Sequence, residues 1–398
     1  MNTNSVTIDQ PLPLIATVIV GAVAIIIFNA LPVIMGVASD SLGLTATQMG
    51  LLASLELAGI GLTSVSGLFW IRKVPWRRAV LIGMLVLAAG NVLSIFVDGA
   101  NTLIVVRFFT GLLGEGVVFT VGIAAIGDSR NADRAFAYSI VGQVGLGMIA
   151  LWSFPYVAAS LGFPGVMGVM AVLALLTLVL LPWLPAGGEK IETSDKAGQS
   201  DVAAGGITTP LIGLFGIVIW FVGLSGIWAF VERIGSEIPL EQTTIGMLLS
   251  LGLGLGALAS LLVALVGDRY GRFWPPLAAL VLHAIICFFF AGKLTVVVYG
   301  ALVLLLTFIW NIGLPYLLGL IADSDASGRL VVLIVSAQAF GNTIGPLVAG
   351  QVVESRGLAT VGVSSALFSI MAFGVIAIFI YRIKTSIVLK PATGNASL

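Results

Sequence analysis

The chain is 398 residues long, 59% hydrophobic and only 9% charged, with a mean hydropathy of +1.14. A soluble domain carries roughly 25% charged residues, so a water-soluble globular protein is excluded. The 18 basic and 18 acidic side chains cancel, which removes the electrostatic footing for nucleic-acid binding; a single cysteine, Cys287, and a single histidine, His283, leave no disulfide framework, multi-thiolate site or His-rich metal site.

A hydrocarbon core about 30 Å thick needs roughly 20 apolar residues per helix. Twelve segments meet this, near 12–38, 47–70, 79–97, 103–126, 136–159, 165–184, 210–233, 244–266, 274–291, 295–321, 331–353 and 361–383. The expected fold class is therefore an all-α integral membrane protein with 12 transmembrane helices. The opening stretch MNTNSVTIDQ has no Lys or Arg and so lacks the basic start of a secretory signal peptide; the first apolar segment is expected to remain as a membrane helix. One long interruption, 185–209, is polar and Gly/Ser-rich and reads as a linker. It separates an N-terminal six-helix bundle, 1–184, from a C-terminal one, 210–398. With the N-terminus inside, the cytoplasmic segments hold fourteen Lys and Arg, while the outer ends hold three, Arg233, Lys293 and Arg356. Positive charge marks the cytoplasmic side, so both termini and the linker are expected there, in the cell membrane.

The fourth span carries Arg107 and Glu115 within an apolar, glycine-rich helix, and the second carries Glu56. Ionisable groups at that depth are functional candidates by default. The loop after the fourth span is repeated: Asp128, Ser129, Arg134 and Gln143 recur as Asp323, Ser324, Arg329 and Gln338, each 195 positions later. A constant offset of half the chain indicates two homologous halves, an arrangement common in secondary transporters. Amides also interrupt apolar spans at Asn29, Asn311 and Asn342. Prolines at 32, 155, 315 and 346 are expected to kink their helices.

The loop Gly267-Asp268-Arg269-Tyr270-Gly271-Arg272 is similar to the GxxxDRxGR signature of the major facilitator superfamily, with Ala264 at the leading glycine. Its first-half counterpart, 67–78, keeps the basic residues but has Ile71 at the Asp position. The pattern Arg107, Gly111, Gly114 in the fourth span also resembles the family. The resemblance implies two pseudo-symmetric bundles around a central cavity, lined by helices 1, 4, 7 and 10 with parts of 2, 5, 8 and 11. Asn29, Gln143, Asn311, Gln338 and Asn342 all fall on helices of that set, and the duplicated position of Gln143 and Gln338 favours substrate contact over bonding of helix to helix; Trp152, Trp228, Trp310 and Tyr316 are expected either to form aromatic walls of the cavity or to pack and face lipid. Gating falls to Asp128, Arg134, Asp268, Arg269, Arg272, Asp323 and Arg329.

Because burial favours the neutral form of a carboxyl, Glu115 and Glu56 are the candidates for proton coupling, with Arg107 as partner. Pairing of Arg107 with either acid only to hold helices together is the alternative. His283 and Cys287 are expected to be inert packing residues; Glu232 and Arg233 are expected either to gate the outer face or to form an interfacial salt bridge. The resulting expectation is a monomeric, proton-coupled transporter of a small organic solute, with uptake of an organic acid by symport preferred because Arg107 would attract an anion. The segment 341–350 resembles the glycine-proline motif of drug/proton antiporters, which carry it in helix 5, so multidrug or metabolite efflux by antiport is the rival. A receptor without transport and a membrane enzyme are weaker readings. No GxxxxGK[ST] stretch is present, which argues against ATP hydrolysis, and no cofactor is expected.

Overall fold

With no water in the hydrocarbon to bond a free N–H or C=O, an apolar segment satisfies its own backbone by coiling into a helix. The computed structural model describes residues 6–187, 208–267, 269, 271–324 and 333–388. Among them ten helices are long and apolar enough to cross a membrane, and Trp274–Phe289 is a shorter apolar helix. The protein is an all-α, multi-pass integral membrane protein. Leu68, Phe96 and Val297 are 74%, 75% and 79% exposed, a surface suited to lipid rather than water.

Helices α1 (Pro11–Ala24) and α2 (Ile26–Leu42) form one rod broken at Ile25. Next come α3 (Ala46–Trp70), started by a capping box between Thr45 and Gln48, and α4 (Trp76–Ile95). Helix α5 (Ala100–Thr110) passes through a wide π turn, Gly111–Glu115, into α6 (Gly116–Gly127). Helix α7 (Ala132–Thr177) breaks at Gly162, where φ is 62° and ψ −159°, a conformation that suits glycine. A 3₁₀ turn, Leu178–Trp183, follows it. The remainder is α8 (Thr208–Ser236), α9 (Gln242–Val266), α10 (Trp274–Phe289), α11 (Val296–Ser324), α12 (Leu333–Arg356) and α13 (Thr360–Val388). All four prolines singled out above lie inside helices.

The core is shared at one end and split at the other. From mid-span to the Leu42 end, one apolar cluster draws on both halves of the chain, including Ile34, Leu52, Phe154, Phe230, Leu249 and Val303. Toward the Pro11 end it is replaced by two. One is built from residues 8–184, around Trp76 and Met84, and the other from residues 212–383, around Trp220 and Phe379. The close contacts between halves lie accordingly. A Cβ on Gly50 would sit 2.3 Å from the Pro346 carbonyl oxygen, and one on Gly350 would sit 2.5 Å from that of Ala46. Helices α3 and α12 thus touch backbone to backbone, an approach that only small residues permit. Ser250 Oγ donates to the Met148 carbonyl at 2.9 Å, joining α9 to α7.

This packing generates a stability prediction. Gly50→Val is expected to cost about 1–3 kcal/mol through overpacking, seen as a lower thermal unfolding midpoint in detergent. Gly21→Ala, whose Cβ meets nothing within 4 Å, is expected not to lower it.

Candidate functional site

Where the shared core ends, a narrow void opens between the halves. Phe28 and Asn29 of α2 line it with Ser225 and Trp228 of α8, Trp310 of α11 and Asn342 of α12. Among the described residues no charged side chain lines it. Asn29 Nδ2 donates to the Gln143 carbonyl at 3.1 Å, leaving its own amide oxygen without a donor. Ser225 is occupied, donating to the Phe221 carbonyl at 2.7 Å and in reach of the Gly341 carbonyl at 3.2 Å. The Trp310 indole nitrogen is buried without a partner, and Asn342 makes no hydrogen bond among the described residues. An unpaired buried donor such as the Trp310 N–H is costly unless a ligand or water completes it.

The other predicted contacts are elsewhere engaged. The Gln143 side chain donates to Ser139 Oγ at 2.8 Å within its own helix. Asn311 donates to the Thr307 carbonyl at 2.8 Å and accepts from Ser260 Oγ at 3.2 Å, tying α11 to α9. The Tyr316 hydroxyl donates to the Gly267 carbonyl at 2.8 Å. Gln338 is half-buried on α12 and is not among the void's lining residues. Trp152, 52% exposed, stacks edge-to-face on Tyr156 away from the void.

The three predicted ionisable residues meet in a second, sealed site. Arg107 is 2% exposed, and Glu56, Glu115 and Asn91 are each 0% exposed. Its Nη1 donates to Asn91 Oδ1 of α4 at 2.6 Å, and its Nη2 donates to Glu115 Oε1 at 3.0 Å and to Glu56 Oε1 of α3. On a regular helix, residues eight apart are rotated about 800° and end about 80° off the same face. The π turn absorbs about one extra residue and brings Glu115 back beneath Arg107. Glycines let α3 press on that turn: a Cβ on Gly111 would lie 2.4 Å from the Glu56 carbonyl, and one on Gly59 2.6 Å from the Leu112 nitrogen. Thr63 donates to the Leu112 carbonyl, so an oxygen within the widened turn keeps a partner. Two carboxyls face one guanidinium, so the cluster is neutral with one bound proton. Glu56 Oε2, Glu115 Oε2 and Asn91 Nδ2 have no partner, and none of the cluster lines the central void.

Ion pairs stand at both ends. At the Pro11 end Arg72 donates to Asp128 through both terminal guanidinium nitrogens, at 2.6 and 2.7 Å, and Arg272 pairs with Asp323. The hydrogen bond to the Asp128 carboxylate raises the Arg72 pKa above the usual arginine value, although burial opposes it. Asp128 and Asp323 are the duplicated pair of the sequence, and each bonds an arginine from a loop of its own half. Arg134 instead bonds the Tyr138 hydroxyl at 2.8 Å, and Arg269 is exposed. Asp268 and Arg329 lie outside the described residues. At the Leu42 end Arg233 meets Asp40 at 2.6 Å across the halves.

Sequence reasoning missed Asn91, Phe28 and Ser225. Asn91 was detectable by the same rule that found the other amides, since it interrupts an apolar span. Arg72 was visible only as one of the basic residues of the first-half loop 67–78, and nothing marked Phe28 or Ser225. Among the described residues no group of three or more His, Cys, Asp or Glu could hold a metal ion.

A many-helix membrane bundle with an uncharged polar void at the seam between its chain halves is the form of a solute transporter. The family model described as Major Facilitator Superfamily matches residues 14–324, and the chain belongs to that superfamily of secondary transporters. A comparison with curated proteins gave no match. Among solved structures, the chain is similar to the nucleoside transporter NupG (14% identity, 94% of this chain and 100% of that one, TM-score 0.68). It is also similar to a bacterial homolog of the human lysosomal transporter Spinster, inward-facing and unoccupied (14%, 95% and 98%, 0.73). The D-xylose–proton symporter is a third (13%, 92% and 98%, 0.74). At these identities the likeness is one of fold.

Removing one member of a buried ion cluster strands the rest. Arg107→Ala is expected to cost about 3–5 kcal/mol, measured as loss of thermal stability and of monodisperse protein in detergent. Adding Glu56→Gln to that variant is expected to restore part of the loss.

Proposed function

We propose that this protein is a proton-coupled secondary transporter of a small, uncharged, hydrogen-bonding solute, working by alternating access. In this reading the two arms of α7 on either side of Gly162, together with α10, raise the membrane crossings to twelve, in two six-helix bundles joined by 185–209. The excess of Lys and Arg at the Pro11 end makes that end cytoplasmic. A core shared at the Leu42 end and divided at the Pro11 end then corresponds to a state closed outside and parted toward the cytoplasm.

The void carries the proposal. Its polar groups are the Asn29 and Asn342 amides, the Trp310 N–H and an occupied serine, so it offers hydrogen bonds and flat aromatic walls without charge. An organic acid, the solute preferred from the sequence, loses its support here, because Arg107 is consumed by Glu56, Glu115 and Asn91. Nucleosides and D-xylose, the solutes named for two of the similar structures, are both neutral and rich in hydroxyls. The Arg107 cluster supplies the proton site of the proposal: it has one acid in excess, and its neutral form holds one proton. The seal around it favours a second reading, in which the cluster only fastens α3, α4 and α5; efflux of a flat apolar solute by antiport is the corresponding alternative for the void.

Transport in proteoliposomes separates these. An inside-alkaline gradient is expected to drive uphill accumulation of a nucleoside or a pentose, and not of carboxylates or lipophilic cations. No accumulation of any neutral solute would refute the proposal. Asn342→Ala is expected to weaken solute binding roughly five- to tenfold, the worth of about one hydrogen bond, without lowering the unfolding midpoint; isothermal calorimetry reads it. Glu115→Gln is expected to abolish gradient-driven accumulation and leave solute exchange intact. Undiminished accumulation in that variant would assign the cluster to fastening alone.

A further inference from the structure

The closure at the Leu42 end contains a carboxyl that the proposed mechanism does not use. Glu232, one turn from the end of α8, is 4% exposed, and its Oε2 makes no hydrogen bond. It is pressed across the boundary between the chain halves: a Cβ built on Gly36 of α2 would fall 2.0 Å from that same oxygen. Its neighbour Arg233 reaches it only at the outer limit of an ion pair. Arg233 Nη1 is committed to Asp40 Oδ1 at 2.6 Å and to the Gly36 carbonyl at 3.2 Å, and stands 4.0 Å from Glu232 Oε2. Asp40 is further held by Gln242 at 2.7 Å. Titratable or charged groups face Glu232 from its own helix (Arg233), from α2 (Asp40) and from α11 (Tyr299). The Tyr299 hydroxyl donates to the Val231 carbonyl at 2.9 Å and so leaves Glu232 unserved.

The geometry points to Glu232 as a protonation-controlled latch of the outer closure: with a proton it fits dry against Gly36, and without one it holds α2 and α8 apart. A buried carboxylate oxygen without a hydrogen bond is costly, whereas the neutral acid packs on glycine as an amide would. Parting the two helices admits water and lets the proton go. The closed form therefore binds more protons than the open form, and raising the pH shifts the population toward open. Asp40 and Arg233 are the more exposed neighbours, at 42% and 23% side-chain exposure, and the Asp40→Asn variant separates the pair from Glu232. The latch rests on the alternating-access reading only for the identity of the two forms, and needs neither a solute nor a gradient.

The test is a distance measurement on the full chain in lipid nanodiscs, without solute. Spin labels on Ala159→Cys and Glu237→Cys, both exposed at the Leu42 end, span the boundary, with Cys287→Ser as background. Between about pH 5 and about pH 9, the range into which burial lifts a carboxyl, the wild-type long-distance population is expected to grow severalfold. Glu232→Gln is expected to keep the short distance throughout. Gly36→Ala, which displaces the carboxyl, is expected to favour the long distance even at low pH. A wild-type distribution that ignores pH overturns the latch without recourse to any variant. So does a response that survives in Glu232→Gln or disappears in Asp40→Asn or Tyr299→Phe. Solute accumulation in proteoliposomes is a separate readout, so loss of the latch would leave the transport proposal standing.

Discussion

A guanidinium placed in hydrocarbon has to find its partners within the protein, and Arg107 dictates how the first half of the chain is assembled. Meeting Glu56, Asn91 and Glu115 at once draws α3, α4 and the π-turned rod of α5 and α6 onto a single point. The backbone yields to that demand. The helix widens over Gly111–Glu115, and Gly59 and Gly111 let a neighbouring backbone approach where any larger residue would collide. A buried ion cluster is weak evidence for net stability, but losing one member is severe, so the arrangement constrains more than it strengthens.

That sequestration also decides the character of the central void. With the only deep cation of the first half tied up elsewhere, the seam between the halves is left with amides, indoles and a serine. In the proposed reading, recognition there is by hydrogen bonding and stacking on flat rings, which suits neutral polar solutes. Charge is moved to the ends. At the Pro11 end each pair lies within one half, Arg72 with Asp128 and Arg272 with Asp323, so separating the halves there breaks neither. At the Leu42 end, Arg233 and Asp40 join opposite halves beside the buried Glu232, so opening that end must disturb them. The two ends of the protein are therefore electrostatically unlike, although the chain is internally repeated.

The repeat itself is a lesson in what spacing carries. The offset of 195 residues identified Asp128 and Asp323 as equivalent, and the structure gives both an arginine partner. For Gln143 the same logic pointed at solute contact, yet its side chain bonds Ser139 on its own helix. An amide can satisfy itself one turn away, whereas a carboxylate at a helix end, short of donors, reaches for a cation. Trp152 and Trp228 looked alike in sequence; one faces outward with Tyr156 and the other lines the void, because only packing decides which side of an all-apolar helix is inside.

The sequence by itself determined the solvent, the helical class, the family and the presence of ionisable groups inside apolar spans. These follow from composition and run length, since a bilayer selects for length and apolarity and tolerates few ionised groups. Only the tertiary structure decided that Glu56, Glu115, Arg107 and Asn91 form one sealed cluster, that the void is uncharged, and that Glu232 is pressed on Gly36. The physical reason is that an apolar helix is hydrophobic on every face, so its periodicity does not say which neighbour it meets. A single π turn then rotates every later side chain by about 100°, and no pattern of apolar residues records it.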